Sequence, residues 1–375
     1  MFTFKIFMKK CWKILPQSFR LIILSAICLR STSKRSVVSD NAIFYILGAF
    51  RSSSGIAQGA RLYADSKEQE GFRVVRVDVG GLMLERADLP LPQNVLSVKQ
   101  IQNMGAGTMV IHANPPQFQL VVCRLGKKIL KDKHLVAYWA WELESIPKIW
   151  KHALNFVDEI VVPSAFVRNA LRPCTDKRIT VVPHPVPTPV LRKKRYAVDG
   201  VIHCLYSFDL GSSFERKNPL AVLKAFSMAF QAGEAELVFK VTGAREHGDK
   251  LKRLWQACST VSGVQILDAV LSVEGLDALY MQNDIYLSLH RSEGYGLSIR
   301  EAMQHGLHVV ATGWSGNMDF MYGPFAHCVP YTLVPVKIEK GPYKGLQTCW
   351  AEPDVGAAAN ILKKLRQQLL ERKNV

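Results

Sequence analysis

The sequence has no apolar run long enough to cross a bilayer. The longest, Leu21 to Leu29, is interrupted by Ser25 and closed by Arg30, well short of the ~20 residues a spanning helix needs. Paired cysteines are missing too. The eight cysteines stand singly from Cys11 to Cys349, with no Cys-x-x-Cys and no Cys/His spacing suited to zinc. That argues against a structural metal module or a disulfide-stapled fold, and for reduced cytosolic thiols. No short repeat or low-complexity tract is visible. Acid is absent before Asp40, and this absence shapes the reading of the amino terminus.

Residues 1–35 carry Lys5, Lys9, Lys10, Lys13, Arg20, Arg30, Lys34 and Arg35. These account for a large part of the formal charge of +17. Phe2, Phe4, Ile6, Phe7, Trp12 and Leu21–Leu24 are interleaved with them. A basic, aromatic-rich amphipathic leader over residues 1–40 suits an anionic membrane surface. A disordered leader and a cleaved secretory signal are the competing readings, but no small-x-small cleavage site follows the apolar stretch. Nucleic acid is a poorer partner, because no finger or helix-turn-helix accompanies the charge.

The rest is globular. Hydrophobic residues make up 48% and charged residues 21% of 375 residues, enough for two domains of ordinary size. From Asn41 the pattern alternates strand, turn and helix. Strands are expected at 41–47, 73–79, 108–113, 134–139, 159–163 and 179–183. Helices are expected at 56–70, 146–156 and 165–171, with Ser164 as N-cap of the last. Then Pro183, Pro185, Pro187 and Pro189 alternate, which excludes a helix or central strand and reads as a stiff linker. A second series has strands at 201–206, 237–241, 264–267, 284–290 and 308–312. Its helices are expected at 219–230, 250–258, 273–281 and 297–305, and a basic amphipathic helix closes the chain at 357–373. Such alternation argues for parallel sheets covered on both faces, with a ligand between the domains at the carboxyl ends of the strands. The expected division is 41–190, 191–355 and a terminal helix at 356–375.

The most informative stretch is Ser292-Glu293-Gly294-Tyr295-Gly296-Leu297-Ser298-Ile299-Arg300-Glu301. It joins an apolar strand to a helix, so backbone amides and a helix N-terminus can face a phosphate. Glu293 stands before the turn and Glu301 one turn into the helix, able to grip different parts of one ligand. The segment resembles the Glu-x7-Glu motif of the retaining, nucleotide-sugar-dependent glycosyltransferases of family four. Thr312-Gly313-Trp314-Ser315-Gly316-Asn317-Met318-Asp319-Phe320 looks like that family's following loop. Tyr138-Trp139-Ala140-Trp141-Glu142-Leu143, Asp158 to Ser164 and Glu215-Arg216-Lys217-Asn218-Pro219 are similar to segments of its bacterial envelope-polysaccharide members.

The resemblance covers roughly residues 40–350 and implies a GT-B fold: two doubly wound α/β Rossmann-like domains facing across a cleft. It implies that Glu293 contacts the donor hexose and Glu301 the ribose hydroxyls. Gly294, Gly296 and Leu297 would give the phosphates close backbone approach, and Lys217 would meet the pyrophosphate. Ser212 stands where the family commonly has an arginine, so Arg216 is the candidate replacement cation. Ser298 stands where a proline is frequent. Gly48 to Gly55 resembles the family's glycine-rich loop near donor and acceptor. Glu142 is a candidate base or acceptor contact, with Trp139, Trp141 and His112 expected at strand ends facing the cleft. His112 and His134 also read as structural histidines. Asn317 and Asp319 read as nucleotide contacts or helix caps. The chain lacks the Asp-x-Asp pair of metal-dependent transferases of another fold, so neither metal nor other cofactor is expected; the diphosphate sugar is a co-substrate. The implied activity moves a hexose from a nucleotide diphosphate sugar to a lipid-linked, lipopolysaccharide or exopolysaccharide acceptor, on the cytoplasmic face of the cell membrane. A sugar-nucleotide epimerase and a non-catalytic sugar- or nucleotide-binding protein are the alternatives.

Overall fold

The computed structural model describes residues 43–189, 196–338 and 341–372. The leader and the basic run after Pro189 lie outside them. The chain forms two compact units, one within Met1–Trp141, Ser145–Pro163 and Arg168–Val182, the other within Glu142–Glu144, Ser164–Val167 and Pro183–Val375.

The first unit is built on β1 (Ile43–Gly48), β2 (Val74–Asp78), β3 (Val95–Ser97), β4 (Gly107–His112), β5 (Lys133–Tyr138), β6 (Glu159–Val162) and β7 (Ile179–Val181). They pair in parallel in the order β3-β2-β1-β4-β5-β6-β7. The helices are α1 (Gly55–Gln69), α2 (Gly80–Met83), α3 (Gln117–Leu130), α4 (Lys151–Leu154) and α5 (Ala165–Leu171), whose first turn groups with the other unit. Central β1 reads Ile-Phe-Tyr-Ile-Leu-Gly, and Tyr45, Ile46 and Leu47 are fully buried. A continuous apolar run is what a strand covered on both faces requires. α1 starts where Ser54 turns extended and its side chain accepts from the Ala57 N–H.

The second unit has β8 (Ile202–Asp209), β9 (Ala235–Thr242), β10 (Val264–Asp268), β11 (Ile285–Ser288), β12 (His308–Thr312) and β13 (Ala326–Val329). These run parallel in the order β10-β9-β8-β11-β12-β13. The helices are α6 (Phe214–Lys217), α7 (Pro219–Ala229), α8 (Gly248–Cys258), α9 (Val273–Gln282), α10 (Leu297–Gln304) and α11 (Val355–Arg372). An antiparallel ribbon, β14 (Tyr331–Pro335) with β15 (Cys349–Pro353), is added. Strand order reverses between β8 and β11, the switch point where loops diverge and doubly wound sheets bind ligands. α11 buries Ala358, Leu362, Leu365 and Leu369 in the same core as β8, β9, β11 and β12.

Several expectations need correction. The helix expected over 146–156 is a 3-10 turn at Lys148–Trp150 followed by the short α4. Pro147 precedes that turn in extended backbone and sets a late start. Trp139 and Trp141 do not line an open cleft: they are almost wholly buried, packing on Trp150 at 5.8 and 4.7 Å between ring centroids. His112 is also buried, stacked on Tyr138 at 4.3 Å. His134 lies 3.7 Å from Glu159 and 3.9 Å from Asp158. Pro183 to Pro189 forms neither helix nor strand, and His184 within it packs edge-on against Tyr295 at 5.1 Å.

Candidate active site

The loops leaving β8 and β11 carry three charged candidates of the second unit, Arg216 and Lys217 after β8 and Glu293 after β11. After β8 comes the single turn α6, capped by Ser213, whose hydroxyl accepts from the Arg216 N–H at 3.2 Å. Asn218 then adopts a left-handed conformation, and α7 starts at Pro219. This tight sequence fixes Arg216 and Lys217. The Lys217 carbonyl accepts from the Tyr206 hydroxyl at 2.6 Å, and the Arg216 carbonyl accepts from the Arg291 N–H at 2.8 Å.

Glu293 meets both cations. Its carboxylate contacts the Lys217 ammonium directly and lies 3.2 Å from the Arg216 guanidinium. Its N–H donates to Ser315 Oγ at 2.8 Å, and its carbonyl accepts from the Gly316 N–H at 2.9 Å. Glu293 is 8% exposed. Burial opposes its charge, yet Lys217, Arg216 and His290 outweigh burial and hold its carboxyl down at about 2. Burial likewise lowers the Lys217 ammonium, which Glu293 counters. Burial would lower Arg216 as well, but Tyr343, Glu293 and Glu142 prevail and raise it. Glu142 joins from an early segment of chain: its carboxylate lies 3.6 Å from Arg216 and accepts from the Tyr343 hydroxyl at 3.2 Å. So Glu293, Lys217, Arg216 and Glu142 come together in one cluster.

The glycine turn is shaped by backbone approach. A Cβ on Gly316 would lie 2.2 Å from the Gly294 carbonyl oxygen, so only glycine lets the two loops touch. Gly296 has φ +88° and precedes α10, whose first residue is Leu297. The Gly294 carbonyl also accepts from Ser164 Oγ at 2.6 Å, and the same hydroxyl caps α5 through the Val167 N–H at 3.2 Å. Asp319 Oδ2 accepts from the Ala165 N–H at 2.7 Å, so Asp319 takes the helix-cap role of its two expected ones. Asn317 is fully buried. Its amide donates to the Thr312 carbonyl at 3.0 Å, and its oxygen lies 3.1 Å from His290 Nε2. That amide braces the loop.

Glu301 occupies a different environment. Its Oε2 accepts from the Tyr280 hydroxyl at 2.9 Å. Burial pushes its carboxyl up to about 7, against lowering by Tyr280 and by Lys240 on β9. Tyr280 stacks on His305 at 4.7 Å, and His305 Nδ1 lies 2.8 Å from the Glu301 carbonyl oxygen. Ser298, the residue at the expected proline position, accepts from the Tyr286 hydroxyl at 2.8 Å.

Gly48 and Gly55 belong to the first unit. A Cβ on Gly48 would lie 2.7 Å from Ala60 Cβ, while Gly55 has nothing within 4 Å. The loop between them is held by Arg61, which donates to the carbonyls of Phe50 and Ser52 at 3.2 and 3.0 Å. Among the described residues no three His, Cys, Asp or Glu side chains gather as a metal site, and no helix is long and apolar enough to cross a membrane. The six described cysteines are free thiols. Sequence reasoning missed Tyr343, Tyr280, Lys240, Ser315 and His290. Only His290, which ends the strand run before the motif, and Ser315, within the quoted loop, lay beside a signal that could have found them.

Residues 208–324 match the family described as glycosyl transferases group 1. That span contains Arg216, Lys217, the whole Glu293–Glu301 turn and Asn317. The chain is a glycosyltransferase. Its fold is similar to that of Anabaena Alr3699/HepE, solved with UDP and glucose, at TM-score 0.61 and 14% identity over 88% of this chain and 91% of that one. It is also similar to the pneumococcal O-GlcNAc transferase GtfA, solved with UDP and GlcNAc, at TM-score 0.57 and 11% identity over 89% and 95%. A third likeness is to the lipopolysaccharide outer core galactosyltransferase WaaB, at TM-score 0.50 and 12% identity over 75% and 83%. These likenesses fix the fold as GT-B, with two Rossmann-like domains. No curated protein is matched by sequence.

Proposed function

We propose that this glycosyltransferase moves a hexose, with retention of configuration, from a nucleotide diphosphate sugar to a lipid-linked, lipopolysaccharide or exopolysaccharide acceptor. The observation that carries the reading is the cluster of Lys217, Arg216 and Glu293 at the switch point of the second sheet, inside the matched span. Bond cleavage leaves charge on the departing diphosphate. Two fixed cations beside it stabilise that charge more as it grows, which lowers the barrier rather than only tightening the ground state. Glu293, kept ionised, offers an acceptor for donor-sugar hydroxyls. Glu301 offers a carboxylate for the ribose. In this reading the attacking hydroxyl approaches the face that the diphosphate leaves, and a phosphate oxygen accepts its proton.

No metal is required, since Lys217 and Arg216 supply the neutralising charge. A hexosyl donor bound to UDP fits the ligands of the first two fold neighbours, and an envelope acceptor fits the third. The basic leader would hold the enzyme on the inner face of the cell membrane. The test is incubation with a panel of nucleotide sugars and membrane glycolipids, with and without excess EDTA. Transfer with anomeric retention by NMR, insensitive to EDTA, is the expected result. Isomerised donor without transfer, inverted product or dependence on added Mg²⁺ or Mn²⁺ would overturn the corresponding part.

A further inference from the structure

Both cations of the site are already paired with acids. Lys217 contacts Glu293, and Arg216 lies 3.2 Å from Glu293 and 3.6 Å from Glu142. Two cations face two carboxylates, so the closed cluster presents no net charge to an anionic donor. The two acids are held very differently. Glu293 is locked by two cations and by backbone bonds to Ser315 and Gly316, and its side chain is 11% exposed. The Glu142 side chain is 24% exposed and reaches Arg216 only at ion-pair distance. Its other oxygen depends on one hydroxyl, Tyr343 at 3.2 Å. Its backbone is anchored separately, because the Glu142 carbonyl accepts from Ser292 Oγ. The side chain can therefore swing away while the chain stays put.

We infer that Glu142 is an internal counter-anion. Its carboxylate occupies the position on Arg216 that a donor phosphate takes, Tyr343 steadies it there, and the diphosphate displaces it on binding. This deepens the donor reading above and rests on it. It also gives Glu142 a use at the end of the cycle: the same carboxylate re-pairs with Arg216 as the nucleoside diphosphate product leaves. The consequence has an unusual sign, in that removing an acid from the site strengthens binding.

The test is calorimetric titration of the full chain with inorganic pyrophosphate and with uridine, guanosine and adenosine diphosphates. Glu142→Gln should bind pyrophosphate and the preferred nucleotide about tenfold more tightly than wild type, since a like charge within several ångströms of the phosphates is gone. The gain should shrink as salt rises. Glu142→Asp, which keeps the acid but draws it back by one methylene, should bind more tightly by a smaller factor. It also serves if the glutamine variant folds poorly. In turnover, Glu142→Gln should lower the donor KM while kcat falls through slower product release. Equal or weaker binding by both variants, with wild-type thermal stability, overturns the counter-anion. Wild-type protein that binds none of the four probes overturns the donor reading, and the counter-anion with it.

Discussion

Tyr280→Phe isolates one hydroxyl beneath the second acid of the motif. That hydroxyl donates to Glu301 Oε2 at 2.9 Å and favours the ionised carboxyl, which burial pushes up to about 7. A hydrogen bond to a charged group contributes about 1.5–3 kcal/mol, and 1.36 kcal/mol corresponds to about one pH unit. Solvent entering a half-buried site replaces part of the lost bond, so the Glu301 midpoint should rise by about one pH unit in the variant. The sign follows from the proposed role: if ionised Glu301 accepts from ribose hydroxyls, nucleotide affinity increases as pH rises through the midpoint. Wild type should bind a nucleotide diphosphate sugar, whose diester phosphates stay fully ionised over this range, more tightly at pH 8 than at pH 6, and Tyr280→Phe should need a higher pH for the same gain. Titrations between pH 6 and 9 measure both curves, with Glu301→Gln as the control that should be flat over that range. Coincident midpoints for wild type and Tyr280→Phe, or a pH response surviving in Glu301→Gln, would refute the reasoning.

Lys217→Ala should lower kcat by more than it weakens donor binding, because the charge it faces grows as the diphosphate leaves; intact kinetics there, with loss in Arg216→Ala, would move that role to Arg216. Gly316→Ala places a Cβ 2.2 Å from the Gly294 carbonyl oxygen, backbone against backbone, and should cost about 1–3 kcal/mol in thermal stability and slow transfer. Gly248→Ala, with nothing within 4 Å, should show neither effect, and equal behaviour of the two would remove the close-approach argument. Deleting residues 1–35 should free the protein from anionic vesicles that the full chain binds at low salt, while transfer to a soluble acceptor analogue continues; full chain that ignores such vesicles would contradict the membrane reading.

Periodicity was sufficient where a strand is buried on both faces. The run at 308–312 is β12 residue for residue, and the Pro219 start of α7 was readable from proline alone. It failed where tertiary contact decides. β14 is largely exposed, and β15, though mostly buried, is broken by Glu352 and Pro353, so neither has the apolar run that marks a central strand. α3 is interrupted at Gly126, whose φ is +67°, and that break hides the helical period. The candidate site divided in the same way. Glu293, Lys217 and Glu301 sit in local motifs with their own turn chemistry. Tyr343 and Tyr280 act through single hydroxyls from distant chain segments, and no spacing in the sequence marks such a contact.

The two acids of the motif look alike in sequence and differ sharply in place. Glu293 lies on cations, so its carboxyl is held down at about 2, whereas burial against a neutral hydroxyl holds Glu301 up at about 7. The depressed carboxyl stabilises the fold fully above the ordinary carboxylate value, and that contribution fades as pH falls toward 2. The raised one does the reverse: it favours the fold below its ordinary value, and this is lost as pH rises through about 7. Near neutral pH one acid is therefore a permanent anion, while the other is poised between states. A ligand that donates hydroxyls to Glu301 must pull its charge out, so that acid binds cooperatively with its ligand and releases a proton. A ligand at Glu293 meets a charge already fixed and instead contends with its cations. Proton release on binding of a nucleotide diphosphate sugar, whose diester phosphates carry no proton near pH 7, read as a buffer-dependent binding enthalpy, should therefore disappear in Glu301→Gln and persist in Glu293→Gln. Persistence in Glu301→Gln would mean that another group titrates, and the division of labour between the two acids would fail.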